Sequence, residues 1–199
     1  MPSGLRRYHH SGQSHFLTFS CYHRQPRFQS PSTYDLFLTC LENMRVKFGI
    51  YIYGYVVMPE HVHLLVSEPQ RRTLADAMHD LKLSFTKRLH RETSMEPGPF
   101  WQARGYDRNV RTAKEFTVKL DYIHQNPLKR GLVKAPEEWK WSSFRHYAFR
   151  ETGTVEIESE WTARDREARA TGAPPRIFLQ PPESSTTILT DQKSGGTPG

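Results

Sequence analysis

From Ser14 to Val110 the hydrophobic pattern alternates between strand-like and helical segments in an order that few folds accommodate. Ser14 to Tyr22 (SHFLTFSCY) has strand character and leads into a turn region around Pro26 and Pro31. Ser32 to Phe48 reads as a helix, with Ser32 as the expected N-cap, Asp35 three residues on, and a stripe of Phe37, Leu41, Met44 and Phe48 that Gly49 stops. Ile50 to Val57 (IYIYGYVV) is a β-branched and aromatic run, and His61 to Val66 (HVHLLV) is the next strand across the break Met58-Pro59-Glu60. Thr73 to Arg91 is predicted helical on the stripe Leu74, Met78, Leu81, Phe85 and Leu89. A loop with Pro97-Gly98-Pro99 then leads to a predicted strand from Phe100 to Val110. This order is the α+β, ferredoxin-like βαββαβ unit, one sheet with helices on a face. A further helix follows, opened by the capping-box pair Thr112 and Glu115, buried through Phe116, Leu120 and Ile123, and ended or kinked at Pro127.

Charge divides the chain. Residues 1–150 hold 23 Lys+Arg against 13 Asp+Glu, a net of +10, and residues 151–199 hold 5 against 8, a net of −3. A basic domain attracts polyanions, chiefly nucleic acid. The expected organisation is one folded domain over 1–150 and a largely disordered tail over 151–199, acidic at first and then rich in Pro, Ser, Thr and Gly. A short charged helix is expected over Glu156 to Ala170. Two cysteines, Cys21 and Cys40, make no disulfide framework, no apolar run is long enough for a bilayer, and no signal-peptide core follows the basic start. The expectation is a cytoplasmic protein.

Chemistry concentrates in two places. His61 and His63 flank Val62 on one strand, so both imidazoles share a face, and two neutral imidazoles at that spacing can hold one divalent metal. The same His-x-His pattern also occurs where a strand simply carries half-buried polar residues. Tyr122 and Asn126 lie four residues apart on the last helix, about 40° apart around its axis, and off the Phe116–Leu120–Ile123 stripe. The Tyr122 hydroxyl is therefore free to face something other than the core, and Asn126 can offer an amide oxygen as a hard third ligand.

Met58-Pro59-Glu60-His61-Val62-His63-Leu64-Leu65-Val66 resembles the MP-x-HVHLL signature of single-tyrosine transposases in the HUH nuclease superfamily. Tyr122-Ile-His-Gln-Asn126-Pro127, with Gly131-Leu132-Val133, is similar to their nucleophile helix and its Y-x-x-x-N pattern. Phe100-Trp101-Gln102 and Trp139-Lys-Trp141-Ser142-Ser143 resemble stretches of the REP-associated tyrosine transposases. The resemblance spans roughly residues 8–150. It implies Tyr122 as the nucleophile on a DNA phosphodiester, through a 5′-phosphotyrosine intermediate, and Mg2+ or Mn2+ held by His61, His63 and Asn126. The family's insertion-sequence branch carries glutamine where this chain has Asn126, as the REP-associated branch does. Many relatives have Asn at the position of Glu60; a regular strand would point Glu60 away from His61.

The implied partner is single-stranded or hairpin DNA, with the protein a monomer or homodimer and no membrane involved. Tyr51, Tyr53, Tyr55 and Trp101 can stack bases, and the basic helix Thr73–Arg91 can track phosphates. Lys119 and His124 flank Tyr122 in sequence, and neither is assigned as a base. Two alternatives use the same residues. A non-catalytic ferredoxin-like nucleic-acid-binding protein needs neither Tyr122 nor a metal, and a water-using metallophosphoesterase needs the histidines without the tyrosine.

Overall fold

The computed structural model describes residues 14–93 and 98–171. Contacts group the chain into a unit ending at Arg164 and a second, Asp165–Gly199, whose described part is the helical stretch from Asp165 to Thr171. Four strands, β1 (Ser14–Ser20), β2 (Ile52–Val57), β3 (His61–Ser67) and β4 (Tyr106–Val110), form one antiparallel sheet in the order β2-β3-β1-β4. With helices α1 (Pro31–Phe48) and α2 (Leu74–Glu92) between strands, this is the expected ferredoxin-like βαββαβ arrangement. The added helices are α3 (Ala113–Lys129), α4 (Phe144–Phe149) and α5 (Glu160–Thr171).

Helices cover both faces of the sheet. Leu17 and Phe19 of β1 with Val62, Leu64 and Val66 of β3 face α1 and α2, in a core completed by Phe37, Leu41, Leu81 and Phe85. The other face presents Phe16 and Leu65 to Phe116 and Ile123 of α3. All the residues of β2 and β3 are therefore buried, and the simple inside–outside alternation of a one-sided sheet is absent. In β2 a register shift between Ile52 and Gly54 inverts the pleat. Tyr53 and Gly54 thereby both face α3, and Tyr55 joins Ile52 on the α1/α2 side.

Local signals explain most boundaries, with four corrections. Helix α1 is capped by Ser30, whose Oγ accepts from the Thr33 N–H, and Pro31 occupies the first turn where no N–H is needed, so Ser32 lies inside the helix. Gly49 ends it in the left-handed conformation, φ 65°. The strand expected over Phe100–Val110 is a strand only from Tyr106. Phe100 instead packs among Phe28, Phe85 and Trp101 with ring centroids 4.7 to 5.7 Å apart, and Trp101 makes one isolated bridge to Cys21. Helix α3 continues through Pro127 to Lys129. Its cap is half of the expected box, because Thr112 accepts from the Glu115 N–H while the Glu115 carboxylate accepts from Arg111 N–H and Arg108.

The fourth correction concerns the boundary expected at residue 150. Val57 N–H donates to Trp141 O, Ser143 N–H to Tyr55 O and Glu158 N–H to Ile52 O, at 2.8 to 3.0 Å. These bonds satisfy the outer edge of β2, which would otherwise expose unpaired backbone. Val155 and Ile157 follow into the core, so residues 151–164 belong to the folded unit. The charged helix expected over Glu156–Ala170 is α5, Glu160–Thr171, and the rest of the predicted tail lies outside the described residues.

Gly54 lets the sheet and α3 approach closely: a Cβ there would stand 2.5 Å from Leu120 Cδ1 and 3.4 Å from Ser143 Oγ. Gly54→Ala is expected to destabilise the fold by about 1–3 kcal/mol through overpacking. In a Leu120→Ala background the same change should cost less, as a double-mutant cycle by urea denaturation would measure. Equal costs in both backgrounds would contradict this seating of α3.

Candidate active site

Antiparallel pairing brings Ser20 opposite His61 and Thr18 opposite both His63 and Tyr106. Opposed residues share a face, so Thr18, His61, His63 and Tyr106 all lie on the side that α3 covers. The two imidazoles are buried at 4% exposure each, and their Nε2 atoms approach to 3.0 Å. Each Nδ1 points outward to a fixed partner: His63 Nδ1 lies 2.7 Å from Thr18 Oγ1, and His61 Nδ1 lies 3.2 Å from Glu60 Oε1. Both rings thus present Nε2 toward one common point.

Helix α3 supplies the other groups. The Tyr122 ring meets His63 edge-on at 5.1 Å and Phe16 at 6.0 Å, while the residue remains 40% exposed. Two turns further on, Arg130 at the helix C-cap bonds Glu60 Oε1 at 2.8 Å. Asn126 lies one turn after Tyr122 and one turn before Arg130, on the helix face they share, and is buried. Its side-chain oxygen is buried without a hydrogen-bond partner, which costs about 1–3 kcal/mol unless a ligand satisfies it. Two imidazole nitrogens and an orphaned amide oxygen are a donor set that suits a small divalent cation. His61, His63 and Tyr122 meet directly, and Asn126 lies one turn from Tyr122 on the same helix.

Other expectations are corrected. Glu60 does not point away from His61, because it occupies the two-residue turn with Pro59 between Met58 and His61, where the pleat of β3 does not constrain it. His124 is excluded from the site: its Nε2 lies 3.0 Å from Ser143 Oγ, in the packing against α4. Lys119 is present, its ammonium 4.5 Å from the centre of the Phe16 ring. Tyr53 and Tyr55 are buried in the two cores and offer no face to a base, while Trp101, partly buried, packs on Phe19 and donates its indole N–H to Lys82 O. Tyr106, 50% exposed beside Phe16, is the aromatic that the site does offer. Thr18, Glu60, Arg130 and Tyr106 escape a sequence reading, since their roles depend on strand register and on helix docking.

The family model for IS200-like transposases matches residues 9–126, which include both histidines, Tyr122 and Asn126. The chain belongs to the IS200-like transposase family. It is 26% identical over 143 residues to the REP-associated tyrosine transposase of Escherichia coli K12, covering 71% of this chain and 82% of that one. A Haemophilus influenzae protein assigned to the same group is 34% identical over 98 residues, 44% of this chain, and the match spans only 55% of that relative. The fold is also that of a REP-associated tyrosine transposase solved with a REP hairpin, at TM-score 0.61 and 22% identity over 75% of this chain and 88% of that one. Among the described residues no helix is long and apolar enough to cross a membrane.

The electrostatics of this IS200-like site follow from burial. Desolvation lowers the pKa of His63 to about 3, with the neighbouring His61, Lys119 and Arg24 adding to the effect. His61 is lowered by the same desolvation, opposed by Glu60. Both imidazoles are thus held toward the neutral, ligating form. Outside the site, burial lowers His124 to about 4 and also lowers His146. As pH falls below about 6.5, the unfolded chain takes up protons on these residues that the folded chain refuses. Stability is therefore complete above about 6.5 and is lost as pH falls toward about 4 at His124 and about 3 at His63. Thermal melts should show Tm falling from about pH 7 to about pH 5, with a shallower slope in His124→Gln. A Tm independent of pH across that range would contradict the buried neutral histidines.

Proposed function

We propose that this protein is a single-strand DNA endonuclease and strand transferase that cuts beside hairpin repeats through a covalent bond to Tyr122. The observation that carries the reading is the meeting of a half-exposed tyrosine with a buried pair of histidine Nε2 atoms. A hydroxyl-bearing ring that is kept out of the core, yet lies against a neutral His pair, has the makings of a nucleophile beside an electrophile-binding site. The REP hairpin carried by the structural neighbour supports hairpin DNA as the substrate class, and the net of +10 over residues 1–150 suits a polyanion.

In this reading the Tyr122 phenolic oxygen attacks the phosphorus of a phosphodiester. The P–Oη bond forms as the P–O3′ bond breaks, the phenol gives up its proton, and the departing 3′ oxygen leaves as a hydroxyl after taking one up. The DNA 5′ phosphate remains on Tyr122, so the bond energy is kept for rejoining. His61, His63 and Asn126 would hold Mg2+ or Mn2+, whose Lewis acidity offsets charge on the scissile phosphate. Phe16 and His63 fix the Tyr122 ring by edge contacts, and Lys119 holds its ammonium over the Phe16 ring. Tyr106, half exposed and edge-on to Phe16, would stack a base of the single strand.

Labelled hairpin DNA with a single-stranded flank, incubated with protein and manganese and resolved under denaturing conditions, tests the proposal. The wild type should yield a protein–DNA adduct that maps to Tyr122 by peptide mass spectrometry. Tyr122→Phe should bind the hairpin, fold within about 1 kcal/mol of wild type, and give neither adduct nor cleavage. Chelation or His63→Ala should also abolish cleavage and spare binding. Cleavage without any adduct would favour a water-using phosphoesterase, and hairpin binding without cleavage would favour a non-catalytic binding protein.

A further inference from the structure

We propose that Glu60, braced by Arg130, is a positioning residue that presets His61 as a metal ligand; the inference rests on the metal-holding role given above to His61, His63 and Asn126. The turn between β2 and β3 carries Glu60 outside the strand, and three backbone bonds clamp that turn: Met58 N–H to His61 O, Cys21 N–H to Glu60 O and Phe28 N–H to Pro59 O, at 2.8 to 3.1 Å. The carboxylate is turned inward at 11% exposure, and two groups converge on its Oε1, Arg130 at 2.8 Å and His61 Nδ1 at 3.2 Å. This oxygen lies on the Nδ1 side of His61, away from the Nε2 that meets His63, so Glu60 is placed to orient the ligand and not to join it at the common point.

The proton inventory gives the arrangement its consequence. A carboxylate can only accept, so His61 must carry its proton on Nδ1, and its Nε2 then presents a lone pair. The 3.0 Å contact between the two Nε2 atoms needs one proton, which must therefore sit on His63. His63 Nδ1 is then an acceptor for the Thr18 hydroxyl at 2.7 Å. Before it can ligate through Nε2, His63 has to move its proton to Nδ1, where the Thr18 oxygen can accept it. The two histidines are thus unequal: Glu60 fixes one in the ligating tautomer, while the hydroxyl of Thr18, able to donate or accept, lets the other switch. Carboxylate support of this kind both orients a ligand and raises its basicity.

Arg130 extends the device to α3. Its guanidinium leaves from the C-cap of the helix that bears Tyr122 and Asn126, so the Glu60 bond ties that helix to the turn holding His61. One ion pair thereby sets the spacing between the helix ligand and the strand ligands.

The test combines nitrogen NMR of the histidine side chains in metal-free protein at about neutral pH with Mn2+ titration by electron paramagnetic resonance. His61 in the wild type should be the Nδ1–H tautomer and His63 the Nε2–H tautomer. Glu60→Ala should leave His61 a mixture of tautomers and weaken Mn2+ binding about 10–100-fold, with Glu60→Gln, which keeps an acceptor, falling between. Arg130→Met should weaken Mn2+ binding less than Glu60→Ala. A wild-type His61 in the Nε2–H form would overturn the proposal, as would unchanged tautomer and Mn2+ affinity in a folded Glu60→Ala protein. Should the wild type bind no Mn2+, the metal reading fails, and the tautomer of His61 still decides whether Glu60 orients it.

Discussion

The antiparallel pairing of β1 with β3 determines nearly everything at the site. It sets Thr18 against His63 and Ser20 against His61, and a slip of one residue would exchange the histidine face for the face of Val62, Leu64 and Val66. Such a slip would bury two imidazoles against α1 and α2 and push three aliphatic side chains toward α3. Fully burying a Val or Leu is worth about 1.5–3 kcal/mol, so the apolar face of β3 locks the register that the polar face needs. The chemistry on one side of the strand is held in place by packing on the other.

Helix α3 meets that polar face at a cost the core must offset. Phe116 and Ile123 seat it on Phe16, Leu65 and Val110, and Gly54 lets it come close. Its opposite edge leaves Tyr122 half exposed and Asn126 buried with an unsatisfied oxygen. Two neutral buried histidines and an orphaned amide are unfavourable in a fold optimised for stability alone. Departures from local consistency of this kind mark functional sites, and here they fall within two turns of one helix and three residues of one strand.

Much of this was legible in the sequence because it follows from period. The βαββαβ order, the shared face of His61 and His63, and the escape of Tyr122 from the α3 stripe all come from spacings of two and 3.6 residues. What was not legible depends on docking. Glu60 reads as a strand residue facing away until the turn is seen to release it from the pleat. For Tyr53 and Tyr55 the sequence leaves base stacking and core packing both open, and α3 on one face with α1 and α2 on the other buries them. Val155 and Ile157 sit in a polar, acidic stretch with no periodicity of their own, and they are recruited only because the open edge of β2 needs backbone partners. Phe100 has strand-like neighbours, yet its ring is worth more in the aromatic core than its backbone in a ladder.

In the proposed function, His61, His63 and Asn126 hold one metal that faces Tyr122. The most direct measurement is anomalous diffraction at the manganese edge from crystals soaked in Mn2+. The account predicts a single strong peak within coordinating distance of both Nε2 atoms and of Asn126 Oδ1, on the side of His63 where the Tyr122 ring lies. A peak held by other residues, or one from which Asn126 is turned away, would contradict it.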